Sequence, residues 1–162
     1  MWFPYDAADT YAVAMSNVHQ DAAEKLGMTL VEKALRTQEE ARAILDQLRK
    51  REVDGLLAPR TTSLNIPGLI LDVATQQGIP TMFGATFFPE ERGALASYAP
   101  DTHGTGKQAA RLVGKILKET KPAEIPVEVN SKIEFVINLK VAKTLELTIA
   151  PEVLFQADRI IR

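Results

Sequence analysis

VDGLLAPRTTSLNIPGLILDVATQQGIPTMFG, residues 53–84, is the stretch on which the fold turns. Residues 53–59 read as a buried strand, because an apolar run this short, bounded by turn formers, is too brief for a helix. Asn65 and Pro67 then open a helix, since proline is tolerated in a first turn, where its missing N–H has no partner to lose. Leu69, Ile70, Val73 and Ala74 recur at helical spacing and supply its buried face, and Gly78 ends it. Residues 79–84, IPTMFG, form the next strand. Strand, crossing helix and strand make a βαβ unit, which winds right-handed and leaves its two strands parallel.

The alternation extends upstream. Residues 1–5 read as a short buried strand, with Pro4 near its end, where a missing donor costs least. Asp9 or Thr10 caps a helix in which Val13, Met15, Val18, Ala22 and Leu26 recur at helical spacing before Gly27 stops it. Residues 28–35 alternate as a second strand, and Thr37 with Glu40 has the spacing of a capping box ahead of Ile44, Leu45 and Leu48, for a helix to about residue 51. The first 84 residues thus predict an α/β domain, a parallel sheet flanked by helices on both faces.

Past Gly84 the pattern changes. FFPEERG, residues 87–93, reads as a loop and GALASY, residues 93–98, as a strand of small side chains. Asp101 or Thr102 caps a helix to about Glu119, with Lys107, Arg111, Lys115 and Lys118 opposite Ala109, Leu112, Val113 and Ile116. Residues 121–129, with Pro122 and Pro126, form an extended linker. Residues 133–138 are a strand and 139–145 a short helix, and Pro151 opens a closing helix carrying Val153, Leu154, Ala157 and Ile161 on one face.

Composition narrows the function. The chain has 162 residues, enough for one domain with a core, and 46% hydrophobic with 25% charged residues is a globular balance. A net charge of -2 predicts no nucleic-acid partner, because binding phosphates needs a concentrated basic surface. Cysteine is absent, which removes disulfides, thiolate zinc sites and thiol nucleophiles. His19 and His103 lack a second ligand at metal spacing, so neither a metal nor another cofactor is expected. Ser97, Asp101 and His103 lie close in sequence without a nucleophile elbow, and residues 101–108, DTHGTGKQ, depart from a phosphate loop at Asp101 and Gln108. Enzymatic chemistry is therefore not expected. No apolar run approaches the ~18 residues of a membrane helix, and MWFPYDAAD lacks the basic start and apolar middle of a signal peptide.

An open parallel sheet binds ligands beyond the C-terminal ends of its strands. The loops there carry Tyr5, Asp6, Asp9 and Thr10 after the first strand, and Arg60, Thr61, Thr62 and Ser63 after the third. Gly84, Ala85 and Thr86 follow the fourth, while Tyr98 and Asp101 lie on the segment leading to the next helix. Carboxylates for an ammonium, a guanidinium and hydroxyls for a carboxylate, and an aromatic face suit an amino-acid zwitterion. Each has a structural alternative: Asp6 and Asp9 as strand end and cap, Arg60 as a surface ion pair, Tyr5 as packing, and Tyr98 with Asp101 as strand end and helix cap.

The order GALASYAPD (93–101), basic amphipathic helix, PAEIPVE (122–128) and SKIEFVINLKVAKTLELTIAPEVLFQADRIIR (131–162) resembles the C-terminal part of ABC-importer solute-binding proteins of the tryptophan- and tyrosine-binding type. Upstream, the likeness extends more weakly to about Trp2, as the second lobe of the periplasmic-binding-protein fold. It implies a second lobe over residues 1–101, and a crossover helix, linker and lobe-completing elements over residues 102–162. It also implies a small ligand, an aromatic amino acid, held between two lobes, with an ABC permease as partner and a parent protein that is periplasmic or lipid-anchored. On this reading the first lobe is missing from the chain, which binds ligand weakly or not at all alone, and a homodimer covers the helix that would meet that lobe. A ligand-sensing effector domain of a transcription regulator is the alternative with the same fold.

Overall fold

The computed structural model describes residues 1–49, 52–58 and 66–162. Its strands are β1 (Trp2–Asp6), β2 (Val31–Leu35), β3 (Leu56–Ala58), β4 (Thr81–Phe83), β5 (Ala96–Pro100), β6 (Ile133–Asn138) and β7 (Arg159–Ile161). The helices are α1 (Thr10–Lys25), α2 (Gln38–Asp46), α3 (Ile66–Gln77), α4 (Thr102–Leu117), α5 (Leu139–Thr144) and α6 (Pro151–Gln156). One sheet joins all the strands in the order β2-β1-β3-β4-β5-β6-β7. The α/β fold expected from the alternation is therefore the fold observed.

Every neighbouring pair is parallel except β5 with β6, which run antiparallel with Pro100 opposite Ile133. The sheet is thus mostly parallel, as expected for residues 1–84, and the antiparallel pair lies beyond them. The cause is the path of the chain: α4 leaves from the end of β5, and the return through residues 118–132 delivers β6 to the same edge, so β6 must descend beside β5.

Strand alternation divides the core between two faces. On one face Leu35, Leu56 and Phe83 meet Leu45, Leu48 and Ile70 of the α2–α3 side, all at most 2% exposed. On the other, Phe3 packs with Ala23 of α1 and with Leu30. The helix α1 turns Ala12, Ser16 and Ala23 inward, whereas Val13, Val18 and Leu26 stay exposed. Its inner face is thus offset from the larger apolar residues, and small side chains let the helix lie close to the sheet.

Pro4 sits in the middle of β1 rather than near its end, and its side chain is fully buried. Strand residues of one parity direct their backbone groups to the same neighbour, and the Trp2 amide already donates to Gly55 O of the β3 side at 3.0 Å. Pro4 therefore withholds the next donor from that neighbour. The β1–β3 ladder is correspondingly confined to Trp2 opposite Leu56, while β1 pairs with β2 along its full length.

Other boundaries shift for local reasons. The stretch read as a loop contains a π-helical turn, Phe88–Arg92, closed by Gly93 in the left-handed region at φ 78°. The linker carries a 3-10 turn at Pro122–Glu124. The closing helix ends at Gln156, and Ile161 belongs to β7, not to that helix. There the Asp158 amide donates to Phe135 O at 2.9 Å and its carboxylate accepts from the Phe135 amide at 2.8 Å, which draws the chain alongside β6.

Candidate functional site

The carboxylates at the strand ends are already engaged by their own backbone. Asp6, buried at the end of β1, accepts the Ala8 amide at 2.8 Å. Asp9 caps α1, its Oδ1 accepting from the amides of Tyr11 at 2.9 Å and Ala12 at 3.3 Å. The N-terminal amides that could hold a ligand carboxylate thus have an internal anion. Thr10 is exposed on the first turn, and Tyr5 packs on Phe3 with ring centroids 5.8 Å apart. Ala85 O and Thr86 O accept from the Phe88 and Glu90 amides, both at 3.3 Å, and lead into the π-helical turn. Arg60, Thr61 and Thr62, with Ser63, lie outside the described residues.

Asp101 caps α4, accepting the Gly104 amide at 2.7 Å, and its other oxygen meets Lys132 Nζ at 3.2 Å. The backbone hydrogen bond, aided by Lys132, holds its carboxyl below the usual value. Hydrogen bonds to Glu134 and Asp101 in turn raise Lys132. Further along, Glu128 accepts from Arg111 and from Gln108, and these two contacts lower its carboxyl. These links tie α4 to the returning chain along a polar side. No residue of α4 is buried, and Val113, Ile116 and Leu117 are exposed.

A cavity of about 360 Å³ opens at the C-terminal ends of β3 and β4 and runs down the α1 face of the sheet. Its lining joins Tyr11, Met15 and His19 of α1 to Phe3, Leu57, Met82 and Tyr98 of the strands, with Gly84 at the upper end. Of the residues expected at a site, Gly84 and Tyr98 line this cavity. Tyr98 stands on an inner strand yet is 57% exposed, edge-on to Phe135 at 6.2 Å. Sequence reading missed Tyr11, Met15 and His19, although their i, i+4, i+8 spacing places them on one stripe. Leu57 and Met82 carried no signal beyond strand apolarity. An apolar, aromatic and thioether lining of this size suits a flat, largely apolar group. Among the described residues no group of three or more His, Cys, Asp or Glu is placed to hold a metal ion.

The sequence model of a family described as ABC transporter substrate binding protein matches residues 4–161. The chain belongs to that family. Solved structures of similar proteins agree in fold. One is the ABC domain in complex with L-Trp from Streptococcus pneumoniae, with TM-score 0.79 and 27% identity over 99% of this chain and 55% of that one. A second is a conserved domain protein from Vibrio cholerae, with TM-score 0.73 and 28% identity over 98% of this chain and 53% of that one. A third is the ligand-free, open structure of a substrate-binding protein with adhesive properties from Clostridium difficile. It shares the fold at TM-score 0.67 and 20% identity, over 99% of this chain and 53% of that one. The chain spans about half the length of these structures. No curated protein matches it. The family is one of solute-binding proteins, typically extracellular or periplasmic, that work with small molecules and transporters. No helix among the described residues is long and apolar enough to cross a membrane.

Proposed function

We propose that this chain is the C-terminal lobe of a substrate-binding protein serving an ABC importer, and that its ligand is an amino acid with an aromatic side chain. The observation that carries the reading is the cavity at the C-terminal strand ends, with Tyr11 and Tyr98 beside its apolar depth. The L-Trp complex of the related Streptococcus pneumoniae domain supports the ligand class. Residues 1–101 form the second lobe and residues 102–162 the crossover helix, linker and completing elements. The inclusion of β6 and β7 in the sheet of β1–β5 supports that division.

Another lobe closes over the same edge. Arg60, Thr61 and Thr62 are the residues assigned to the ligand carboxylate by their place after β3. The protein acts outside the cytoplasmic membrane, in the periplasm or on a lipid anchor, with an ABC permease as partner. Ligand clamped between two lobes draws its affinity from contacts to both, so one lobe alone binds weakly. An NMR titration of the chain with L-tryptophan is expected to shift resonances of Tyr11, Gly84 and Tyr98 with an affinity on the order of millimolar. Micromolar affinity in calorimetry would overturn the two-lobe reading, and shifts confined to other surfaces would overturn the site.

A further inference from the structure

Among the described residues of the cavity, His19 has a hydrogen-bonding role decided by the backbone. It lies two turns along α1 from Tyr11, about 12 Å farther from the strand ends at the α-helical rise. Its Nδ1 stands 2.7 Å from Met15 O. A carbonyl oxygen only accepts, so Nδ1 carries the hydrogen and Nε2 of the neutral ring is left as an acceptor. Among the described residues Nε2 has no hydrogen-bond partner. The ring rests on Phe3 with centroids 4.6 Å apart, which restrains its plane. Among the described residues the other polar side-chain atoms of the lining are the hydroxyls of Tyr11 and Tyr98, and both residues are more than half exposed.

We propose that His19 specifies the ligand ring: the cavity takes a planar aromatic group with a single N–H or O–H donor, indole or phenol, and Nε2 accepts that hydrogen. The apolar walls bind any flat ring of fitting size, so they select for shape alone. A donor buried without a partner loses its bond to water, whereas a donor facing Nε2 keeps one. The acceptor therefore favours a donor-bearing ring over an isosteric ring without one. This inference rests on the aromatic amino-acid reading for its biological ligand, but the ring chemistry can be measured apart from it.

Indole and 1-methylindole carry no ammonium or carboxylate and differ in the one donor, so they probe the cavity alone. At pH 8 the chain is expected to bind indole about tenfold more tightly than 1-methylindole, the size of one acceptor, Nε2, covered and left unpaired. Indole is also expected to move the His19 Nε2 nitrogen resonance, which 1-methylindole leaves in place. His19→Phe keeps a ring against Phe3 and is expected to abolish the preference. Should that variant fail to fold, the nitrogen resonance of the unaltered chain decides. Equal binding of the two probes, a preference that survives in His19→Phe, or no indole binding up to its solubility limit each overturns the proposal. If indole shows the preference while L-tryptophan shifts only resonances of other surfaces, the His19 assignment stands and the amino-acid reading of this cavity falls.

Discussion

Thr37 caps the start of α2 with its Oγ1, which accepts the Glu40 amide at 3.1 Å, and Glu40 Oε2 reaches back one residue beyond the cap to accept the Arg36 amide at 2.9 Å. Both donors would otherwise lack an intrahelical partner. Thr37→Ala is expected to lower stability by about 1 kcal/mol, seen as a lower urea midpoint at unchanged slope. An unchanged midpoint would show that water replaces the cap at no cost. At this scale the sequence was informative wherever a side chain acts on its own backbone. Thr37, Asp9 and Asp101 each cap the helix their position predicts. The same engagement leaves these aspartates bound to amides, which a spacing argument alone could not decide against a ligand role.

Among the elements, α4 depends most on charge. Asp101 is held below its ordinary 3.8, so it contributes stability that is complete above that value and is lost as pH falls through the lower folded value. Lys132 is raised above its ordinary 10.5, so its contribution is complete below that value and is lost as pH rises through the higher folded value. The anchor of α4 is therefore strongest between 3.8 and 10.5. Following the Gly104 amide shift against pH should show it move toward unstructured values below about 4, and Asp101→Asn should remove that step. A step that persists in Asp101→Asn would assign it to another group. Element type was legible for α1 through α4 because their apolar spacing is helical. The end of α6 was not, because Ala157 and Ile161 fit helical spacing while the Asp158–Phe135 contacts pull the chain into β7.

Over the whole molecule, two apolar surfaces remain uncovered among the described residues. One is the sheet face around Tyr98 and the other the outer stripe of α4 with Val113, Ile116 and Leu117. On the two-lobe reading both face the other lobe, and the chain alone is expected to self-associate at high concentration by burying α4 against a second copy. Light scattering should show a mass above that of the monomer, reduced by Val113→Lys with Ile116→Lys. A monomer at all concentrations would rule that association out. The sequence by itself determined the α/β alternation, the helix caps and the family, because these depend on local backbone preferences and on segment order along the chain. Only the tertiary structure decided the antiparallel place of β6, the lapse of the β1–β3 ladder at Pro4 and the union of Tyr11, Met15 and His19 with Leu57, Met82 and Tyr98. Those features join residues far apart in sequence, and their packing is set by which strands become neighbours and which face of α1 meets the sheet.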